Sequence, residues 1–202
     1  MRTLAWVFVV VLVAGSAVRA ESPSADSLYR RGIALAAEAR VDEARAAFEA
    51  AVAADPSHLQ AIFSLGVLHD RQGRLPEAEA AYRRAVEVDP AFTRGHVNLG
   101  SVLARQGRLT EAEDVFRRAI DQDPYMAEAH LNLGAVAAHQ GKLDDAIASL
   151  KRAIEIKPTL TEAYVNLGTA YAAKANWAKA LEEFDRAAAI EAGQALIHFH
   201  RG

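Results

Sequence analysis

The 202-residue chain has no cysteine. Disulfides, thiolate catalysis, cysteine-held zinc and lipid-modified cysteine are therefore excluded. The chain also tolerates an oxidising compartment. Aromatic residues are scarce, at 7%; few aromatics and abundant alanine suit closely packed helices better than sheets. A basic excess is missing as well: 23 Lys and Arg stand against 26 Asp and Glu, a formal charge of −3. A nucleic-acid surface needs clustered positive charge, so no nucleic-acid partner is expected. Long apolar runs are absent after the first twenty residues.

Those twenty residues are a region apart. Arg2 and the amino terminus give a short positive start, and Leu4 to Ala14 is an uninterrupted apolar stretch. Gly15 and Ser16 loosen it, and Val18-Arg19-Ala20 puts small residues at a cleavage position. This is the layout of a secretory signal peptide, expected to span residues 1–20. A membrane-spanning helix needs about 20 apolar residues, and Arg19 ends this run too early. An uncleaved anchor is the alternative and would be the one route to a membrane. Cleavage after Ala20 removes Arg2 and Arg19, which takes the charge from −3 to −5. Residues 21–24 are polar and are expected to form a disordered leader. The expected location is periplasmic or secreted.

What the remainder contains is a period. Glycine recurs at Gly32, Gly66, Gly100, Gly134, Gly168 and Gly202, each 34 residues after the last. Alanine follows the same step at Ala44, Ala78, Ala112, Ala146 and Ala180, and again from Ala51 to Ala187. Proline does so at Pro56, Pro90, Pro124 and Pro158. A fixed period of this length means a repeat array. Within one unit, Ala127 to about Gln140 and Leu143 to about Ile156 each carry an apolar stripe at helical spacing. Gly141-Lys142 breaks the first helix and Pro158 ends the second, with Lys157 pushed out of the helical region. A glycine inside a helix costs about 0.5–1 kcal/mol against alanine, so its recurrence implies close approach of the paired helix. Phe48, Tyr82, Phe116, Leu150 and Phe184 are expected to fill the gap between helices.

These columns of glycine, alanine, aromatic, alanine and proline resemble the tetratricopeptide repeat (TPR). The resemblance implies an all-α fold, an α-solenoid of five helix-turn-helix repeats forming a right-handed superhelix. The repeats are 25–58, 59–92, 93–126, 127–160 and 161–194, with residues 195–202 opening an incomplete sixth helix in phase. Two departures stand out: Arg31 replaces the leucine of Leu65, Leu99, Leu133 and Leu167, and Ala192 stands where proline is expected. The apolar Leu196, Ile197 and Phe199 do not suit a solvent-facing terminal helix, which suggests a chain continuing beyond residue 202.

No catalytic residue, cofactor or metal site is expected. His96 and His130 share a column with Ile62 and Tyr164, a packing position, and His198 and His200 are two apart and face different ways on a helix. Gly134-x6-Gly141-Lys142 has neither the spacing nor the following hydroxyl of a phosphate loop, and its glycines recur with the repeat. One polar column does suggest a site. Asn98, Asn132 and Asn166 lie two residues before the glycine in repeats three to five. In the family that position lines the concave face. By helical spacing the same face carries Arg94, Ser101 and Arg105, then Glu128, Ala135 and His139, then Glu162, Thr169 and Ala173. An amide offers one acceptor and two donors, so a ladder of them can pair with an extended peptide backbone. The column resembles the ladder of the O-linked N-acetylglucosamine transferases. The carboxylate clamp of chaperone-binding relatives is matched only in part, with Tyr29, Ile33, Ser64, Arg94 and Asn98 at its places.

The expected function is a protein–protein interaction scaffold. Its groove would comprise Asn98, Asn132, Asn166, Arg94, Arg105, Glu128 and Glu162, and its partner would be a protein or peptide. Two alternatives are the substrate-presenting arm of a larger enzyme, such as a glycosyltransferase, and a self-associating structural module.

Overall fold

The computed structural model describes residues 23–201, with side-chain surroundings through Gly193; the expected signal segment lies outside the described residues. The first helices of the five repeats are α1 (Ala25–Ala37), α3 (Leu59–Arg71), α5 (Thr93–Arg105), α7 (Ala127–His139) and α9 (Thr161–Ala173). The second helices are α2 (Val41–Ala54), α4 (Leu75–Val88), α6 (Leu109–Gln122), α8 (Leu143–Ile156) and α10 (Trp177–Arg201). No strand occurs among the described residues. Each helix packs on the next in sequence, and the first helices of successive repeats also touch, α5 on α7 and α7 on α9. The second helices make no comparable contact with one another. The side on which neighbours approach is the inner side of a curved stack, so the first helices line the concave face.

The turn inside each repeat ends the first helix with a left-handed residue. Gly73, Gly107 and Gly141 have φ of 72°, 78° and 76°. In the third repeat Gly107 N–H donates to Ala104 O at 2.9 Å and Arg108 N–H to Leu103 O at 3.0 Å, so orphan carbonyls of α5 are satisfied. Repeats one and five close the same turn with alanine, at Ala39 (φ 59°) and Ala175 (φ 56°). Between repeats, Asp55, Asp89 and Asp123 leave the helical region, and each accepts from the N–H two residues on, at Ser57, Ala91 and Tyr125. Each aspartate thus opens an Asx turn with the proline as its second residue. Lys157 has the same extended backbone, with φ −133° and ψ 85°.

The small columns are where the helices meet. Ala44, Ala78, Ala112 and Ala146 are fully buried, as are Ala51, Ala85, Ala119 and Ala153. A Cβ added at Gly100 would stand 2.7 Å from Cε1 of Phe116, and at Gly134 it would stand 2.6 Å from Cγ of Leu150. The large residue of the second helix therefore lies directly on the glycine of the first, which is what offsets the cost of the glycine. One core runs from Ala78 and Tyr82 through Phe116 to Val136, and a second runs from Leu131 to Ala180. Neither is confined to one repeat.

The ends of the stack explain the departures seen in the sequence. Leu99, Leu133 and Leu167 are buried under the preceding repeat, whereas Arg31, in the same column, is exposed; it gives the first repeat a polar outer face. Ser24, expected in the disordered leader, is the N-cap of α1 and accepts from Ser27 N–H at 3.2 Å. At the other end no break precedes Ala195. With alanine in place of the helix-stopping proline, α10 runs on for 25 residues, against 14 in its counterparts. The expected separate sixth helix is thus a continuation of α10. Trp177, Leu181 and Phe184 on this helix are 69%, 62% and 38% exposed, because no further helix covers them among the described residues. None of the described helices is long and apolar enough to cross a membrane.

Candidate functional site

Small residues on neighbouring first helices leave two hollows on the concave side. The larger, about 560 Å³, lies between repeats three and four. Its polar rim is Ser101, Arg105, Asn132 and His139, and its apolar lining includes Ala104, Leu109, Phe116, Ala135 and Val136. The second, about 220 Å³, lies one repeat on and shares Ala135 and His139 with the first. Asn166, Thr169 and Ala173 complete its open side. The structure thereby brings together most of the face that helical spacing marks out.

The asparagines do not share one environment. Asn98 donates from Nδ2 to Tyr82 Oη at 3.3 Å. Burial pushes the Tyr82 phenol up to about 12, so it is a neutral hydroxyl at ordinary pH. Asn132 donates to Ser101 Oγ at 3.3 Å, across the junction of two repeats. Asn166 has no side-chain partner among the described residues and opens onto the second hollow.

The charges differ likewise. Arg105 is ion-paired with Asp70 of the preceding repeat. Glu128 is paired with Lys157 at 3.0 Å, and the hydrogen bond from that ammonium holds its carboxyl below the usual range. Arg94 and Glu162 are exposed and have no ion partner among the described residues. Arg94, Asn98, Glu128 and Glu162 lie outside the lining of both hollows. Ala104 was expected on the groove side and Phe116 between the helices; among the lining residues that sequence reasoning did not place there are Leu109, Val136, Leu143 and Ala170. Their signal was present in the repeat columns, where Leu143 stands 34 residues after Leu109 and Ala170 34 after Val136.

The histidines that share a column have a structural task. His96 and His130 donate from Nε2–H to the carbonyls of Pro90 and Pro124 at 3.0 and 3.1 Å, since a carbonyl can only accept. Tyr164 does the same for Pro158 with its hydroxyl, at 3.1 Å. Each ties the loop between repeats to the helix that follows. No group of three or more potential metal ligands is gathered among the described residues.

Profiles of the tetratricopeptide repeat match residues 14–58, 29–92, 63–127 and 98–160, and a further one matches 137–198. The chain belongs to the tetratricopeptide-repeat family. Among solved structures, MamA is 27% identical with a TM-score of 0.75, over 81% of this chain and 96% of MamA. YrrB, described as a TPR protein with an unusual peptide-binding site, is 25% identical with a TM-score of 0.70, over 89% of this chain and 93% of YrrB. PilW, a type IV pilus biogenesis factor, is 22% identical with a TM-score of 0.75, over 82% and 77% of the two chains, and shows the fold alone. No curated protein sequence matches the chain. The all-α repeat solenoid read from the sequence is therefore the fold, and TPR stacks of this kind are protein–protein interaction scaffolds.

Proposed function

We propose that this TPR array, exported to the periplasm or secreted after loss of residues 1–20, binds an extended peptide or partner segment along its concave face. The observation that carries this reading is the pair of adjoining hollows, each edged by an asparagine amide at the same repeat position. An extended backbone presents a donor or acceptor at every residue, and Asn132 and Asn166 can supply both. Arg94 and Glu162 contribute the unpaired charge of the groove; Arg105 and Glu128 contribute less, because their neighbours neutralise them. In this role the chain has no catalytic task of its own.

The test is binding of peptides selected from a random twelve-residue display library on the purified protein. Each amide hydrogen bond contributes about 0.5–1.5 kcal/mol. Replacing Asn132 and Asn166 together with alanine should then weaken every selected peptide by about 1–3 kcal/mol. Asn98→Ala should matter less, because Asn98 lies outside the lining of both hollows. Arg94→Ala should lower the salt sensitivity of binding. Full affinity in the Asn132/Asn166 double variant would defeat the groove reading.

A second reading, self-association, is favoured by the exposed row of Trp177, Leu181 and Phe184. The polar outer face at Arg31 makes head-to-tail stacking costly, so a second copy would meet this row with its own. Sedimentation at several concentrations separates the two readings.

A further inference from the structure

The junctions between repeats are built from the same columns, so they can be compared position by position. Between repeats two and three, Asp70 of α3 and Arg105 of α5 form an ion pair across the junction. Beneath it, Tyr82 of α4 receives the Asn98 amide. Both contacts join polar side chains of neighbouring repeats. Between repeats three and four, Ala104 occupies the place of Asp70, His139 that of Arg105, and Phe116 that of Tyr82. The carboxylate is gone, the guanidinium is replaced by a shorter ring, and the hydroxyl is missing. Asn132 therefore turns to Ser101 instead. At this junction lies the 560 Å³ hollow, floored by Leu109, Phe116 and Val136.

We propose that this hollow is an anchor subsite that seats one large apolar side chain, aromatic or leucine, of an extended peptide. The inference rests on the groove reading and adds its chemistry. The volume falls within the range of about 300–1,000 Å³ found for sites that enclose small ligands. The lining is carbon apart from its rim, so a charged side chain placed there would lose its hydration without a partner. Buried aromatic or aliphatic anchors in such pockets carry most of the affinity of peptide and protein interfaces. Asn132, at the rim, holds the backbone beside the anchor. The next hollow, at about 220 Å³, admits a smaller side chain. Ala104, His139 and Phe116 thus determine where along the array a peptide is gripped, and the Asp70–Arg105 junction is a closed version of the same site.

The experiment restores the closed junction. The double variant Ala104→Asp/His139→Arg places an acid and a guanidinium where Asp70 and Arg105 stand. A second variant, Ala104→Leu, fills the hollow with hydrocarbon and introduces no charge. Peptides selected from the twelve-residue library on the purified protein should share one aromatic residue or leucine at a fixed place. Both variants, once circular dichroism shows them folded, should bind those peptides at least tenfold more weakly. If the selected peptides share no apolar position, or if Ala104→Leu binds them unchanged, the anchor inference is overturned. The groove reading then stands provided the Asn132/Asn166 variant still weakens binding. If the library yields no binder at all, both fall.

Discussion

Ala39 and Ala175 occupy a backbone region that glycine fills in the three inner repeats. An L-residue there costs roughly 1–2 kcal/mol, and glycine itself costs about 0.5–1 kcal/mol in chain entropy. Replacing Ala175 with glycine should therefore stabilise the fifth repeat by about 0.5–1 kcal/mol on balance. A raised urea midpoint is the expected reading. Gly107→Ala is the converse test. A Cβ at Gly107 meets nothing within 4 Å, so the loss measures backbone strain alone. The residue scale is also where reading the sequence met its limit. The asparagine column was visible from its spacing, but the occupation of Asn98 by Tyr82 depends on a hydroxyl sixteen residues away in another helix. The charges of Arg105 and Glu128 were visible too, and their neutralisation required knowing which acid and which ammonium the stack brings beside them.

Helices are tied to one another between repeats by ion pairs at the turn. Glu113 of α6 accepts from Lys142, at the start of α8, and from Arg117 in its own helix, each at 2.8 Å. These bonds lower its carboxyl from the usual 4.5 to about 2. A depressed folded-state value means that the carboxylate stabilises the fold above the unfolded value. That contribution is lost as pH falls from about 4.5 towards 2. Glu113→Gln should lower the thermal midpoint at neutral pH. It should also flatten the acid limb of a midpoint-against-pH curve in that window. An acid limb identical to that of the parent protein would show that the pair contributes nothing. Glu79 is held by Arg108 in the same way one repeat earlier, so the flattening is partial. At this scale the helix boundaries were legible: the notch at Gly141 and the stop at Pro158 fall where local backbone chemistry puts them. The length of α10 was not, because a missing proline removes a stop without specifying what comes next.

No single repeat owns its core. In the fourth, Ala129, Leu133 and Val136 belong with Phe116 of the third, while Leu131 and Ala137 belong with Ala163 and Leu167 of the fifth. Ordering 34 residues costs on the order of 50 kcal/mol at roughly 1.5 kcal/mol per residue. One helix pair, with both flanks bare, cannot recover that amount, and the neighbouring interfaces must supply the remainder. Ala127 to Leu160 made alone should be largely unfolded by circular dichroism. A stable, fully helical monomer would contradict this account.

Beyond what the family resemblance implied for the asparagines, the sequence by itself determined the period, the helix pairs and the tight columns of glycine and alanine. All of these follow from residue spacing and backbone preference, which act locally and repeat with the chain. The tertiary structure decided which asparagines are free, which charges are already paired, and where the groove is open. Those depend on side chains from three helices meeting at one junction. Exchanging Asp70, Arg105 and Tyr82 for Ala104, His139 and Phe116 one repeat later leaves the periodicity intact and removes the groups that bridge the junction.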